Sequence, residues 1–196
     1  MWNERYAQPG YAYGTEPNGF LVSVASRIPR GKVLCLMEGQ GRNAVYLAGL
    51  GHRVTAMDAS EVGLEKARAL AAERGVELET VHALAEDFRI EPGAWDGIVS
   101  IFGHLPGSVA ERLHRAAVQG LRPGGALVME AYTRAQLGRG TGGPKVPELL
   151  YELGTLREHL AGLRLETFHE VEREILEGGL HTGAGSVVQV LGFREA

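Results

Sequence analysis

The sequence lacks most marks of an exported, membrane-spanning or disulfide-stabilised protein. Its one cysteine, Cys35, cannot form a disulfide within the chain. No apolar run approaches the roughly 20 residues needed to cross a bilayer, and the residues after Met1 lack the apolar segment of a signal peptide. We therefore expect a cytoplasmic protein that has no membrane partner.

Positive charge is scarce as well. The chain has 20 Lys and Arg against 24 Asp and Glu, a formal net charge of -4. Proteins that bind nucleic acid gain much of their affinity from clustered Lys and Arg, so we expect no nucleic-acid partner. His, Cys and Asp do not occur at the spacing of metal ligands, and we expect no metal. A small molecule is the partner that this composition favours, while nothing in it indicates an oligomeric state.

What the sequence does have is a regular alternation of strand and helix. Five largely apolar segments are predicted strands: Lys32 to Met37, Arg53 to Asp58, Glu77 to Ala83, Asp96 to Phe102, and Ala126 to Tyr132. The predicted helices between them are Asn43 to Leu50, Glu61 to Arg74, and Val109 to Gly120. This alternation is typical of an α/β protein whose mainly parallel sheet is covered on both faces.

The alternation stops after the fifth strand. Two long strand candidates, Arg164 to Leu176 and Ser186 to Glu195, are separated by a short glycine-rich segment and should pair as an antiparallel hairpin.

Local signals mark where helices begin and the fifth strand starts. Ser108 with Glu111, and Thr155 with Glu158, have the spacing of capping boxes and predict two helix starts. The residues RPGG predict a turn into the fifth strand.

The loop after the first strand has the glycine spacing of a nucleotide-binding unit. Gly39 and Gly41 would let the backbone approach a ligand, and Asp58, 20 residues after Glu38, could accept hydrogen bonds from ribose hydroxyls. This pattern fits nicotinamide dinucleotides and other nucleosides alike. Glu38 separates them, because a carboxylate repels a diphosphate but attracts an ammonium or sulfonium group. The bland alternatives are that Glu38 only stabilises the start of the next helix and that Asp58 only caps a turn.

Together these features resemble a class I S-adenosylmethionine-dependent methyltransferase: a strand, an acid and Gly-x-Gly, a second acid after the second strand, and a final antiparallel hairpin. Four segments are similar to the small tellurite-resistance (TehB-like) branch, related to thiopurine methyltransferases: WNERYAQPGYAYGTEPNGFL, GQGRNAVYLAGLGHRVTAMDAS, WDGIVSIFGHLP and EAYTRAQLGRGTGGP. The resemblance implies a Rossmann-like, seven-stranded sheet in the order 3-2-1-4-5-7-6, and activity on a small molecule.

We predict one methyltransferase domain over residues 1–196. Residues 1–30 would form an N-terminal lid and helix, residues 31–131 the cofactor-binding half, and residues 132–196 a substrate-side insertion and the C-terminal hairpin. A chain of this length fits one domain.

The predicted cofactor, S-adenosylmethionine, would contact the loops at the ends of the first, second, third and fourth strands, and the lid. The predicted cofactor-binding residues are Glu38, Gly39, Gly41, Arg42, Asn43, Asp58, Ala59, Ser60, Leu84, Ala85, Glu86, Phe102, Tyr6 and Tyr13.

Several of these residues have an equally plain alternative. Arg42 and Asn43 could contact the methionine carboxylate, or could be a surface charge and a helix cap. Tyr6 and Tyr13 could face the sulfonium in a cation–π contact, or could belong to an arm that packs on a neighbouring helix. The branch often places an acid after the third strand to hold adenine, whereas HALAED offers Leu84 and backbone groups there.

The predicted catalytic residues are His104, His181 and Arg134, all in segments expected beside the acceptor. His104 lies in SIFGHLP, where methyltransferases of nucleic-acid bases typically carry Asn- or Asp-Pro-Pro-Tyr. A loop histidine is also often merely solvated, and glycine-rich turns serve hairpins regardless of function.

The predicted function is methyl transfer to a small molecule, either a chalcogen oxyanion such as tellurite or selenite, or a thiol. One alternative is a nicotinamide-dependent oxidoreductase, although the sequence lacks a plausible catalytic Tyr-x-x-x-Lys. The other is a non-catalytic protein that binds the cofactor, since a fold does not fix a function.

Overall fold

The computed structural model describes residues 2–179 and 181–195. Their strands form one sheet in the order β3-β2-β1-β4-β5-β7-β6, which confirms the predicted fold class and strand order. The strands are β1 Lys32–Leu36, β2 Arg53–Asp58, β3 Glu79–His82, β4 Trp95–Ile101, β5 Leu121–Tyr132, β6 Leu163–Glu177 and β7 His181–Arg194. Strands β1 to β5 pair in parallel, and β7 pairs antiparallel with both β5 and β6.

Helices connect the strands and precede the first of them. They are α1 Trp2–Tyr6, α2 Gly19–Val24, α3 Arg42–Gly49, α4 Glu61–Arg74, α5 Gly107–Gly120 and α6 Leu153–His159. Short 3-10 turns lie at Ala25–Arg27, Arg134–Gln136 and Pro147–Leu149.

Alternation along the central strands divides the core between two faces. Val33 and Cys35 of β1 pack with α2, α3 and α4 on one face, where the Cys35 thiol is buried. Leu34 and Leu36 pack with α5 and α6 on the other. Because both faces are covered, β1 is apolar from Val33 to Leu36.

The cap of α4 follows from its sequence. Ser60 accepts a hydrogen bond from the Gly63 amide at the N-terminus, and Gly75 ends the helix in the left-handed region, as only glycine does readily.

Both predicted capping boxes are wrong, because the helices begin earlier. Pro106 precedes α5, so Ser108 lies within its first turn and Glu111 pairs with Arg115 instead. Helix α6 begins at Leu153, which places Thr155 inside it.

The C-terminal hairpin is antiparallel, as predicted, but its strands are longer. Pairing continues to Glu177 opposite His181, so the glycines from 183 to 185 lie within β7 rather than in the turn. Strand β5 likewise begins at Leu121, and the residues RPGG interrupt its pairing with β4 instead of preceding the strand.

Gly41 illustrates how closely the first loop packs. Its φ is +90°, and a Cβ there would lie 2.6 Å from the Ala67 Cβ of α4. Gly75 also has a positive φ, +67°, but no heavy atom lies within 4 Å of its hypothetical Cβ.

We therefore expect Gly41→Ala to destabilise the protein by about 2 to 5 kcal/mol, since it adds a steric clash to left-handed strain. Gly75→Ala should cost only the strain, about 1 to 2 kcal/mol. Urea unfolding of both variants measures the difference, and equal losses would contradict the packing described for Gly41.

Candidate active site

The candidate site lies where the parallel strands end. The order of strands reverses between β1 and β4, and the loops after β1, β2, β4 and β5 all leave the same edge of the sheet. In open α/β sheets ligands bind at this edge, beside the reversal.

Asp58 holds the glycine loop by its backbone. One carboxylate oxygen accepts from the Gly39 amide at 2.8 Å, and the other accepts from the Ser60 amide at 2.8 Å. A carboxylate has about four acceptor positions, so two remain for ribose hydroxyls. Burial raises the pKa of Asp58 above its ordinary value, against the lowering effect of these amides.

Glu38 lies at the start of α3. Its Oε1 accepts from the Asn43 and Ala44 amides, both at 2.9 Å, so it does stabilise the helix start as the bland alternative proposed. Neither hydrogen bond uses Oε2. The two interpretations are therefore compatible, because one oxygen caps the helix and the other can meet a cationic ligand.

Desolvation raises the pKa of Glu38 to about 7. The Ala44 and Asn43 amides and the charge of Arg42 oppose this rise without cancelling it. A desolvated carboxylate that lacks a full counter-charge favours a ligand cation over a ligand anion.

Two residues at this edge have left-handed backbone. Met37 follows β1 with φ 51°, and Phe102 follows β4 with φ 54°. Such conformations cost about 1 to 3 kcal/mol and cluster at functional sites. The loops after β1 and β4 lie against each other here, since a Cβ at Gly103 would lie 2.3 Å from the Met37 methyl group.

The N-terminal segment covers the first loop. Tyr6 is buried against Gly39 and Gly63, with its hydroxyl 2.6 Å from the hypothetical Cβ of Gly39. Burial and the nearby Asp58 raise its pKa. The Tyr13 ring lies 6.4 Å from the Tyr6 ring and 4.4 Å from the His181 ring. This placement is compatible with the predicted lid, and the cation–π role stays a prediction.

Arg42 and Asn43 are buried rather than on the surface. Arg42 forms an ion pair with Glu177 at 2.5 Å, and the Asn43 side chain accepts from the Asn18 amide at 2.9 Å. The surface-charge alternative for Arg42 is therefore wrong, and its contact with the cofactor stays a prediction.

Ala59 and Ser60 use their polar groups within the protein. The Ser60 hydroxyl caps α4 and donates to Asn3, and the Ala59 carbonyl contacts the His82 ring at 3.1 Å. Their predicted part in cofactor binding would therefore come from packing.

The predicted adenine segment is a turn after β3. Leu84 is 48% exposed and can pack against a ring, whereas the Ala85 side chain is buried in the core. The Ala85 carbonyl accepts from Arg112 and the Glu86 carbonyl from Arg89. Of the three predicted contacts, Leu84 is thus the most accessible.

The position of His104 disfavours a role as general base. Its Nδ1 lies 2.8 Å from the Leu149 carbonyl, and its Nε2 lies 3.3 Å from the Tyr132 amide, a pair of contacts that fits a neutral ring with Nε2 as acceptor. Burial lowers its pKa to about 4. Both nitrogens are occupied, so the ring positions two loops and lines the site.

His181 and Arg134 lie apart. His181 is buried among Tyr13, Phe102 and Tyr132, and burial lowers its pKa to about 3. Arg134 is exposed and pairs with Glu152, on the border of a 160 Å³ cavity near α5 and α6. The structure therefore places His181, but not Arg134, among the aromatic side chains at the end of β4.

Sequence reasoning missed the buried charges behind the site. Asn18, Glu130, Arg173 and Glu177 hydrogen-bond one another beneath the hairpin. The available signal was Glu130, a lone acid in the otherwise apolar fifth strand.

The geometry fits a nucleoside with a cationic end. Asp58 retains acceptor capacity beside a glycine loop, and Glu38 places a desolvated carboxyl group at the start of α3. No cluster of three or more His, Cys, Asp or Glu that could hold a metal ion occurs in the described part of the chain. None of the helices over the same residues is long and apolar enough to span a membrane.

Comparison with known proteins agrees. Residues 33–125 match the sequence model of a family described as a methyltransferase domain. No curated protein sequence matches the chain.

Solved structures share the fold. TehB from Haemophilus influenzae is 20% identical with a TM-score of 0.75, over 99% of this chain and 66% of TehB. A second structure comes from work on echinomycin biosynthesis, where a disulfide bond is converted into a thioacetal group. It is 20% identical with a TM-score of 0.76, over 98% of this chain and 88% of that chain. An S-adenosylmethionine-dependent methyltransferase from Methanosarcina mazei is 16% identical with a TM-score of 0.69, over 89% and 98%. The match over residues 33–125 agrees with the predicted reaction class and cofactor, and the solved structures agree with the predicted fold.

Two substitutions separate the roles of Glu38. Glu38→Gln keeps an oxygen that can cap α3 but removes the charge, so we expect near-normal stability and about tenfold weaker S-adenosylmethionine binding, which corresponds to about 1.4 kcal/mol. Glu38→Ala should show the same weakening and also lose about 1 kcal/mol of stability with the cap. Calorimetric titration and urea unfolding measure both; unchanged affinity in the Gln variant would exclude the charge role.

Cofactor affinity should also depend on pH. Because Glu38 has a pKa of about 7, acid protonates it and removes the charge that attracts the cofactor. Between pH 7.5 and 6.0 the ionised fraction should fall roughly eightfold. Because the neutral form still binds about tenfold more weakly, the affinity should fall about fourfold. Glu38→Gln is the control and should bind with little change over this interval. A wild-type affinity that is constant across it would contradict the assignment.

Proposed function

We propose that this chain, a class I S-adenosylmethionine-dependent methyltransferase, methylates a small uncharged molecule through a soft atom such as a thiol sulfur. The observation that carries the proposal is a cluster of four rings beside the cofactor loops, which contains two polar atoms that lack partners. We call Tyr13, Phe102, Tyr132 and His181 the ring cluster.

The rings of this cluster come from distant parts of the chain and touch one another. The His181 ring lies 4.4 Å from Tyr13, 4.7 Å from Phe102 and 5.5 Å from Tyr132, between ring centroids. Phe102 and Tyr132 stack at 4.7 Å. Aromatic side chains such as these suit an apolar or aromatic acceptor.

Two buried polar atoms in the cluster have no hydrogen-bond partner within the residues that the structure describes. They are the His181 Nδ1 and the Tyr132 hydroxyl. Unsatisfied buried polar groups cost about 1 to 3 kcal/mol each, so their presence calls for a reason. An acceptor molecule that offers a donor or an acceptor would satisfy them.

Charges around the ring cluster favour an uncharged acceptor. Arg42 is paired with Glu177, and Arg173 is paired with Glu130 and Glu177. Arg5 is exposed, donates to the Tyr13 hydroxyl and lies over the Trp2 ring. Burial keeps His181 neutral at neutral pH. An oxyanion would need a cation of its own, whereas Arg5 and Arg173 are engaged and the remaining donors of Arg42 are assigned to the carboxylate of the cofactor.

The bound cofactor supplies an activated methyl group on a positively charged sulfur. We infer that Asp58 holds the ribose, that Glu38 holds the ammonium, and that Leu84 packs against adenine. Tyr6 and Tyr13 cover the glycine loop and exclude water from the site. The protein's main contribution is then to align the acceptor and keep the site dry. A neutral thiol also loses its proton when its sulfur takes the methyl group, and the Nδ1 of neutral His181, which has no partner among the described residues, would accept that proton.

The second candidate acceptor is a chalcogen oxyanion such as tellurite or selenite. What favours it is the similarity to TehB across 99% of this chain. Arg134, exposed at the border of the neighbouring cavity, would then be the cation that approaches the acceptor.

We further propose one methyltransferase domain, with residues 1–30 as the lid, 31–131 as the cofactor-binding half and 132–196 as the substrate side. A cytoplasmic location and the lack of a nucleic-acid partner are part of the same proposal. The acidic net charge of -4 supports the latter.

An assay with labelled methyl groups tests the acceptor directly. Purified protein would be offered alkyl thiols, purine thiols, selenite, tellurite and amines. We expect transfer to an uncharged thiol. Transfer to the oxyanions alone would favour the second candidate, and the absence of transfer to any acceptor would contradict the proposal.

The Tyr132 hydroxyl gives a sharper prediction. Because this hydroxyl has no hydrogen-bond partner in the described part of the chain, Tyr132→Phe should not reduce stability. It should nevertheless raise the KM for the thiol about three- to tenfold, the range of one lost hydrogen bond.

Tyr151→Phe is the matched control. The Tyr151 hydroxyl donates to the Gly103 carbonyl at 3.0 Å, so its loss should cost about 1 kcal/mol of stability and change the KM less. Steady-state kinetics and urea unfolding measure both variants. An unchanged KM in Tyr132→Phe would remove this residue from the acceptor site.

A further inference from the structure

A buried group of charged and amide side chains joins the cofactor loop to the C-terminal hairpin. We call Asn18, Arg42, Glu130, Arg173 and Glu177 the charge cluster. Glu130 is 0% exposed, Glu177 7% and Arg42 8%. Ionised side chains are almost never this buried unless they are paired.

The pairing within the charge cluster is extensive. Arg173 contacts both carboxylates, and the Asn18 amide donates to Glu130 at 2.7 Å and to Glu177 at 2.9 Å. Two arginines thus balance two acids. Burial would raise the pKa of Glu177, but Arg42 and Arg173 together hold it below its ordinary value. Glu177 is therefore a carboxylate at neutral pH.

The contact that leaves this group is the ion pair of Glu177 with Arg42. Glu177 is the last residue of β6, beside the hairpin turn, whereas Arg42 is the first residue of α3, directly after the glycine loop. Their N–O distance is 2.5 Å. One ion pair therefore connects the hairpin to the loop that surrounds the cofactor.

Arg42 retains capacity for a second anion. A guanidinium group has five N–H donors, and the observed contacts are to Glu177 and, at 3.4 Å, to the Glu16 carbonyl. Because a buried ion pair is a poor source of stability compared with apolar packing, its presence at this position is better explained by orientation.

We propose that Glu177 is a positioning residue for cofactor binding. It holds the guanidinium of Arg42 beside the glycine loop, so that the remaining N–H groups of Arg42 can meet the carboxylate of the cofactor's amino-acid end. This inference rests on the predicted contact between Arg42 and that carboxylate, and it is independent of the acceptor.

The test measures S-adenosylhomocysteine binding by calorimetry. This ligand has the amino-acid end of the cofactor but no positive sulfur, so its Kd reports on the contacts of that end without the charge on sulfur. Glu177→Gln should raise the Kd about tenfold, because the amide cannot hold Arg42 by charge. Glu174→Gln, at an exposed position of the same strand, is the control and should bind as the wild type does.

A double-mutant cycle separates positioning from other roles. If Glu177 acts through Arg42, the variant that combines Arg42→Gln with Glu177→Gln should bind as weakly as Arg42→Gln alone. Additive losses would mean that Glu177 acts on the ligand independently, and would overturn the inference. A lower melting temperature with an unchanged Kd would show a purely structural role and would overturn it as well.

Glu177→Asp covers the case in which Glu177→Gln does not fold. It keeps the charge but withdraws the carboxylate by one methylene group, so the Kd should rise by a smaller factor. An unchanged Kd in that variant contradicts positioning. Failure of the unaltered protein to bind S-adenosylhomocysteine would instead overturn the cofactor assignment, and this inference with it.

Discussion

The site depends on two carboxylates that hold backbone amides at the ends of adjacent strands. Asp58 accepts from Gly39, and Glu38 accepts from Asn43 and Ala44. These hydrogen bonds fix the shape of the glycine loop on which a nucleoside would bind. They also explain why an acid can stand at the start of a helix where a diphosphate would bind in other nucleotide-binding proteins. The carboxylate completes the helix and leaves a negative charge for a cationic ligand.

Hydrogen bonds and an ion pair extend from the region of this loop to the C-terminal hairpin and to the N-terminal segment. The ion pair of Arg42 with Glu177 connects this loop to the hairpin, and Asn18 connects the N-terminal segment to both. The hairpin in turn places His181 beside Phe102, while β5 supplies Tyr132. The proposed acceptor region is thus assembled from segments that only the tertiary fold brings together. Its rings and paired charges favour an uncharged acceptor, which separates this proposal from the oxyanion alternative.

Much of the fold could be predicted from the sequence, because apolar runs mark the central strands and glycines mark many of the turns. The strand order needed the family resemblance, since periodicity does not fix which strands are neighbours. Helix starts were less predictable. Ser108 and Thr155 have good capping spacing, yet Pro106 and Glu152 precede the helices that form. The cofactor loop was predictable because its residues are close in sequence. The charge cluster was not, since Asn18 and Glu177 are far apart in the chain and meet only after the hairpin packs on β5.

Calorimetric titration of the unaltered protein with S-adenosylmethionine and with NADH shows whether the carboxylates of this loop select a nucleoside with a cationic end. At pH 7.5 we expect saturable binding of S-adenosylmethionine and at least about tenfold weaker binding of NADH, whose diphosphate would face Glu38. Binding of NADH without binding of S-adenosylmethionine would contradict it.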